Sequence, residues 1–301
     1  MTINQTHFEI HLTVTSGDDT PVDLLASETG LSKQRIKQAM QKGAVWLTEK
    51  KGTRRIRRAG KVLKAGDSLH LYYDEKVLSM APKSPLLITD AGAYSVWYKP
   101  GGMLSQGSKW GDHCTTSRWV EKNLKPQRPA FIVHRLDRAA SGLILIAHEK
   151  RSAVALTKLF HDRLINKCYR VIVHGKFPAE AEPTKMNSDI DGREAESTAT
   201  LLDYDETLDC SLLEVDIATG RKHQIRRHLA EINFPVLGDR LYGRNHDEAD
   251  LQLTAYRLAF NCPLTNKPQH FELPENLLPS LSRLSEDKAV LNKPVLSKPV
   301  V

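Results

Sequence analysis

Residues 134–147 read His134-Arg135-Leu136-Asp137-Arg138-Ala139-Ala140-Ser141-Gly142-Leu143-Ile144-Leu145-Ile146-Ala147. The second half is an unbroken apolar run behind a Ser-Gly step, the pattern of a strand buried on both faces. The first half is polar and places an acid just ahead of the turn. An acid there stands at the edge of a sheet, where a cleft can form. The simpler reading of Asp137, a cap on the following turn, asks only for a local hydrogen bond.

Two further segments lie downstream. Arg151 to Leu164 reads as an amphipathic helix with Val154, Leu156, Leu159 and Phe160 inward. Behind it, Lys167-Cys168-Tyr169-Arg170-Val171 opens a strand, 167–174, that alternates around Tyr169, Val171 and Val173. Farther on, Thr219-Gly220-Arg221-Lys222-His223-Gln224-Ile225-Arg226-Arg227-His228-Leu229 is a glycine turn running into a helix predicted over 224–232. Basic side chains at such a helix start suit phosphate.

Upstream, residues 76–87, with Pro82 and Pro85, read as a linker, and a large domain spans 88–285. A smaller domain occupies 1–80. In it, Thr20 caps and Pro21 begins a short helix that Gly30 closes. Ser32 caps a second helix with Ile36 and Met40 inward and Lys33, Arg35, Lys37 and Lys42 outward. A strand over 44–47, a basic loop over 50–58, a Gly66-Asp67 turn and an alternating strand over 68–73 follow. Residues 286–301 scatter Lys and Pro among single apolar residues and are expected to be a disordered tail.

Charge is concentrated in one place. Of 301 residues, 43 are Lys or Arg and 36 are Asp or Glu, a net +7. The window Leu31 to Lys64 holds twelve basic residues, Arg54, Arg55, Arg57 and Arg58 among them, against Glu49 alone. That window carries +11, so the remainder is net acidic, and phosphate is the expected partner. A solvated, salt-bridged face is the competing reading, and it needs acids that the window lacks. No run approaches the roughly 18 apolar residues of a membrane span. Met1 to Ile10 lacks the basic head and apolar core of a secretory signal. Cys114, Cys168, Cys210 and Cys262 form no C-x-x-C pair, which fits reduced thiols in the cytoplasm. No quartet of metal ligands is evident, and no metal site is expected.

The three segments, in this order, resemble the RluA-type family of RNA pseudouridine synthases. The likeness spans about Ser95 to Pro274 and includes Tyr98-Lys99-Pro100-Gly101-Gly102-Met103, Pro235-Val236-Leu237-Gly238-Asp239 and Leu258-Ala259-Phe260-Asn261-Cys262-Pro263. The small domain is similar to the S-four-type RNA-binding domain through Leu31-Ser32, Gly43-Ala44-Val45 and Ala65-Gly66-Asp67-Ser68-Leu69. Ala139-Ala140 departs from the family's more usual acidic and hydroxyl residues, and the segment 108–114 matches nothing placed.

The resemblance implies an α+β fold: a mixed, largely antiparallel sheet flanked by helices, with a small S-four-like α/β domain in front. It implies a cofactor-free monomeric isomerase converting uridine to pseudouridine in structured RNA. The appended basic domain favours ribosomal over transfer RNA. Asp137 falls on the family's catalytic aspartate, as nucleophile, base or stabiliser of charge on the sugar. Arg226 matches the arginine that pairs with it, with Arg227 as a neighbouring rival. Tyr169 matches the tyrosine that stacks on the base and relays the proton from ring carbon 5. Arg135 matches the arginine that fills the space left by the flipped nucleotide. Arg221 and His223 are expected to contact RNA, as are Lys33, Arg35, Lys37, Arg54, Arg55, Arg57 and Arg58. His134 is given only a structural or phosphate-contacting role. The alternative function is a non-catalytic RNA-binding assembly factor on the same fold.

Overall fold

A computed structural model describes residues 6–285 except 16, 18, 245, 246 and 248. The expected tail, 286–301, lies outside the described residues. The chain divides into two compact units, Met1–Ser84 with Met103–Ala130, and Pro85–Gly102 with Phe131–Val301.

In the first unit, β1 (His7–Thr13) precedes the two capped helices, α1 (Pro21–Thr29) and α2 (Lys33–Gln41). The Thr20 and Ser32 side chains accept the backbone N–H groups of Asp23 and Arg35 at 3.2 and 3.3 Å. Gly30 ends α1 in the left-handed region at φ 70°, where a side chain would be strained. The sheet is completed by β2 (Val45–Glu49), β3 (Gly52–Arg55) and β4 (Ser68–Asp74), in the antiparallel order β1-β4-β2-β3. Its core gathers Leu25, Ile36, Met40, Leu47, Leu69 and Leu71, all fully buried. The Asp74 side chain then caps α3 (Glu75–Ser79).

Two expectations are corrected here. The basic loop 50–58 contains strand β3, paired through Trp46↔Arg55 and Thr48↔Thr53. An edge hairpin strand of sequence Gly-Thr-Arg-Arg buries little, so no apolar alternation marks it. The linker 76–87 is partly structured, since α3 reaches Ser79 and the next strand starts at Leu86. The unplaced segment 108–114 belongs to the first unit. The Asp112 N–H donates to the Lys42 carbonyl at 3.0 Å, and Trp46 Nε1 donates to the Lys109 carbonyl at 3.0 Å. Helix α4 (Thr116–Asn123) follows it.

The second unit is built on β5 (Leu86–Asp90), β6 (Tyr94–Lys99), β7 (Phe131–Ile132), β8 (Ser141–Ala147), β9 (Asn166–His174), β10 (Thr184–Met186), β11 (Ser197–Asp205), β12 (Cys210–Ile217), β13 (Leu253–Asn261) and β14 (Pro268–Glu272). The order is β10-β11-β12-β9-β13-β8-β6-β5, with β14 on β13 and β7 on β8. Among the described strands only β13 and β8 pair in parallel, so the sheet is mixed and largely antiparallel, as expected. Leu143 to Ala147 are fully buried in β8. Gly142 is required there: at φ +124°, a Cβ would lie 2.3 Å from the Ala255 carbonyl oxygen of β13.

Helices α5 (Lys150–His161) and α6 (Gln224–Glu231) complete this unit. Val154 does not face inward; it is 73% exposed, while Ser152, Leu156 and Leu159 are buried. At 3.6 residues per turn Val154 falls off the stripe that Leu156, Leu159 and Phe160 share.

Candidate active site

Asp137 lies in the loop between β7 and β8, and β6 fixes that loop from below. Lys99, at the end of β6, is fully buried and donates to the carbonyls of Ala140 at 2.6 Å, Pro100 at 3.1 Å and Arg138 at 3.4 Å. The Gly102 N–H adds a bond to the Arg138 carbonyl at 2.8 Å. Burial pushes Lys99 down to about 7, against the pull of Asp137. Lys99→Met fills the same space and removes the ammonium donor from those carbonyls. The cost expected is about 1–3 kcal/mol. A urea denaturation midpoint lower than the parent's, with reduced turnover, is the expected result, and an unchanged midpoint contradicts this role.

Tyr169 of β9 and Arg135, Arg221, His223 and Arg226 line one cleft with Asp137. All six belong to the second unit. Arg226 sits in the first turn of α6 and is buried. It does not pair chiefly with Asp137. Its Nε and Nη2 grip Asp239 at 2.7 and 2.6 Å, and Nη1 reaches Asp137 Oδ2 at 3.4 Å. Asp239 also accepts the N–H groups of Leu241 and Tyr242 at 2.9 and 3.1 Å. Burial alone would raise the Asp239 carboxyl. Bonds from Arg226 and the backbone outweigh it, holding the group below its ordinary range. Burial likewise opposes the Arg226 charge, and the Asp239 and Asp137 carboxylates overcome it. Arg227 is no rival, because it pairs with exposed Asp191 at 2.9 Å.

The turn into α6 is held by Gln224. Its Oε1 accepts from the Thr219 hydroxyl at 2.6 Å and the Arg221 N–H at 2.9 Å, while Nε2 donates to the Glu196 carbonyl at 2.8 Å. Arg221 Nε is engaged by the Glu194 carbonyl at 2.8 Å. Burial, with the Asp137 carboxylate nearby, holds the Tyr169 phenol well above its ordinary range. Tyr169 is therefore a protonated phenol near neutral pH. Arg135 is exposed at the rim. His134 is structural: its ring stacks on Phe160 at 4.1 Å and its Nε2 accepts the Leu145 N–H at 3.0 Å. Burial pushes it down to about 3, so it is neutral.

The basic residues of the first unit are more neutralised than the sequence suggests. Lys33 pairs with Asp23 at 2.6 Å, Arg35 with Glu75 at 2.9 Å and Arg54 with Glu49 at 2.8 Å. Arg57 and Arg55 approach Asp112 at 2.5 and 3.6 Å. Asp23, Glu75 and Asp112 come from outside the basic window, which is why its composition hid them. Lys37, Lys50, Lys51, Arg58 and Lys64 pair with no carboxylate among the described residues. Arg54, Arg55, Arg57, Arg58 and Lys61 line one groove.

The sequence reading gave no site role to Lys99, Asp239 or Tyr242. Lys99 and Asp239 lie inside segments that carry the family resemblance, and that was the available signal. Among the described residues, Cys168, Glu214 and Asp216 could hold a metal ion. Alternation along β9 and β12 puts that cluster on the sheet face opposite Tyr169, and Glu214 is engaged by Tyr256 and Arg257.

Comparison with known proteins identifies the family. The pattern of the family described as RNA pseudouridylate synthase matches residues 93–231. The tRNA pseudouridine synthase C of Vibrio cholerae is 30% identical over 203 residues, covering 56% of this chain and 82% of that one. An uncharacterized RNA pseudouridine synthase of Mycoplasma pneumoniae is 27% identical over 283 residues, covering 82% and 86%. The solved human RNA pseudouridylate synthase domain containing 1 shares the fold, with a TM-score of 0.55 at 19% identity, covering 71% of this chain and 99% of that one. The chain belongs to the RNA pseudouridine synthase family and is an isomerase acting on RNA. No described helix is long and apolar enough to cross a membrane.

Proposed function

We propose that Asp137 carries the isomerisation, on a uridine flipped into the cleft that Tyr169 and Arg226 share with it. The observation behind this reading is the buried Asp239–Arg226 pair, which leaves one guanidinium nitrogen facing the Asp137 carboxylate. The bond from ribose to ring nitrogen breaks, the uracil turns, and a bond to ring carbon 5 forms. The carbon-5 proton leaves and the freed nitrogen gains one. Asp137 bonds to the sugar or faces its positive charge, or takes a proton. Tyr169, a neutral phenol, relays the carbon-5 proton only by giving up its own hydroxyl proton in the same motion. Arg135 occupies the space that the flipped nucleotide vacates, and flipping is needed because a stacked base hides the reacting atoms. No step in this scheme needs a cofactor.

The first unit is an S-four-like RNA-binding module in this reading, the chain acts as a cytoplasmic monomer, and the substrate is ribosomal RNA. The Vibrio relative bears a transfer-RNA name; the preference for ribosomal RNA rests on the appended basic unit. Support comes from Lys37, Lys50, Lys51, Arg58 and Lys64, which pair with no carboxylate among the described residues and can meet phosphate. Replacing these five with Gln should flatten the plot of log affinity against log salt by roughly 2–4, at roughly 0.7–0.9 per contact. Turnover on a short, accessible uridine substrate at saturation should hold, while the advantage of long ribosomal transcripts over transfer-RNA transcripts should shrink. An unchanged slope would mean that these side chains do not touch RNA.

A further inference from the structure

We propose that His223 is a positioning residue for Asp137, with its Nε2–H aimed at the carboxylate and its tautomer fixed by the hydroxyl of Tyr242. This rests on the reading of Asp137 as the reacting carboxylate. The backbone gives the first indication. His223 precedes α6 at φ 57°, ψ 26°, in the left-handed region, and its side chain makes no capping bond. Gly adopts that conformation most readily, Asn, Asp and His more readily than other side chains, and Ser or Asp would cap the helix. Helix formation alone does not explain a histidine here. Strain of this kind persists where the surroundings hold it in place for another purpose.

The ring's contacts supply that purpose. Nδ1 lies 3.0 Å from the Tyr242 hydroxyl, and Nε2 lies 3.8 Å from Asp137 Oδ1. Tyr242 is itself fixed: its N–H donates to Asp239, and its ring lies beneath the Arg226 guanidinium at 5.2 Å. One turn, 239–242, therefore places both neighbours of Asp137, Arg226 through Asp239 and His223 through Tyr242. Burial pushes His223 below its ordinary value, with Arg226 and Lys222 adding to this and Asp137 and Asp239 opposing. The ring is neutral near pH 7 and carries one proton. A lone pair facing a carboxylate repels it, and an N–H attracts it. The proton belongs on Nε2, and Nδ1 accepts from Tyr242, since the bond at one ring nitrogen selects the state of the other. At 3.8 Å the contact is electrostatic rather than a hydrogen bond. With Arg226 on Oδ2 and His223 on Oδ1, the carboxylate plane is fixed from both sides.

The full chain, labelled with 15N in its 12 histidines, reads the tautomer directly by NMR. His223 is assigned by the signal lost in His223→Gln. The expected result is a protonated-type Nε2 and an unprotonated-type Nδ1. Tyr242→Phe keeps the ring under Arg226 and removes the hydroxyl. It should give a mixture of tautomers and lower kcat about tenfold, with KM nearly unchanged. His223→Gly relieves the backbone, so its thermal midpoint should equal or exceed the parent's while kcat falls roughly 10- to 100-fold. An Nδ1–H tautomer in the unsubstituted chain overturns the proposal, whatever the variants do. So does a Tyr242→Phe protein with parental tautomer and kcat. If Asp137→Asn were active, the reading of Asp137 would fail first, independently of the tautomer.

Discussion

Asp137→Asn is expected to abolish conversion while RNA binding survives. The amide keeps the shape of the carboxylate, and the Lys99 bonds that hold the loop go to backbone carbonyls, which the change leaves alone. What is lost is the negative charge, and with it the carboxylate's capacity to act as nucleophile, base or stabiliser of charge on the sugar. Loss of such a group from a concerted site lowers turnover by at least about 10⁴-fold. Tritium release from ring carbon 5 of labelled uridine measures it, with a filter-binding titration on the same preparation. Turnover near the parent's would remove Asp137 from the chemistry.

The second large effect falls on the Asp239–Arg226 pair. The pair bears on stability as well as on turnover, because Arg226 is held by buried Asp239. Both partners are buried, at 1% and 4% exposure, so removing the charge of one leaves the other without its main partner. Asp239→Asn is expected to cost about 3–5 kcal/mol of stability, because an unpaired buried charge is the expensive product. Arg226→Lys keeps a charge but cannot make two parallel bonds to Asp239 while reaching Asp137, so turnover should fall by about 10²-fold or more. Denaturant midpoints and single-turnover rates on the same variants separate the two effects. If Arg226→Ala kept parental turnover, the pairing with Asp137 would have no part in catalysis.

The sequence carries the centre of the site well, for physical reasons. An apolar run behind Ser141-Gly142 has the pattern of a buried strand, and an acid ahead of it stands at that strand's entry. Thr20, Ser32 and Gly30 mark helix ends because capping is local chemistry. Partners from distant turns are not legible in this way. Asp239 finds Arg226 only once the chain folds back after α6, and Asp112 finds Arg57 only once 103–130 packs into the first unit. Lys99 has no visible partner in the sequence, because the carbonyls of Arg138 and Ala140 reach it only through the fold. Strand β3 escapes notice because an edge strand of polar residues has no buried face to alternate. Val154 shows the opposite error, where an apolar residue near a helical stripe is taken as part of it.

The most direct test is to map pseudouridines in total RNA from cells with the chain, cells lacking it, and cells carrying only the Asp137→Asn form. The expected result is at least one ribosomal RNA position modified in the first, and unmodified in both of the others. An identical pseudouridine map in all three would contradict the account.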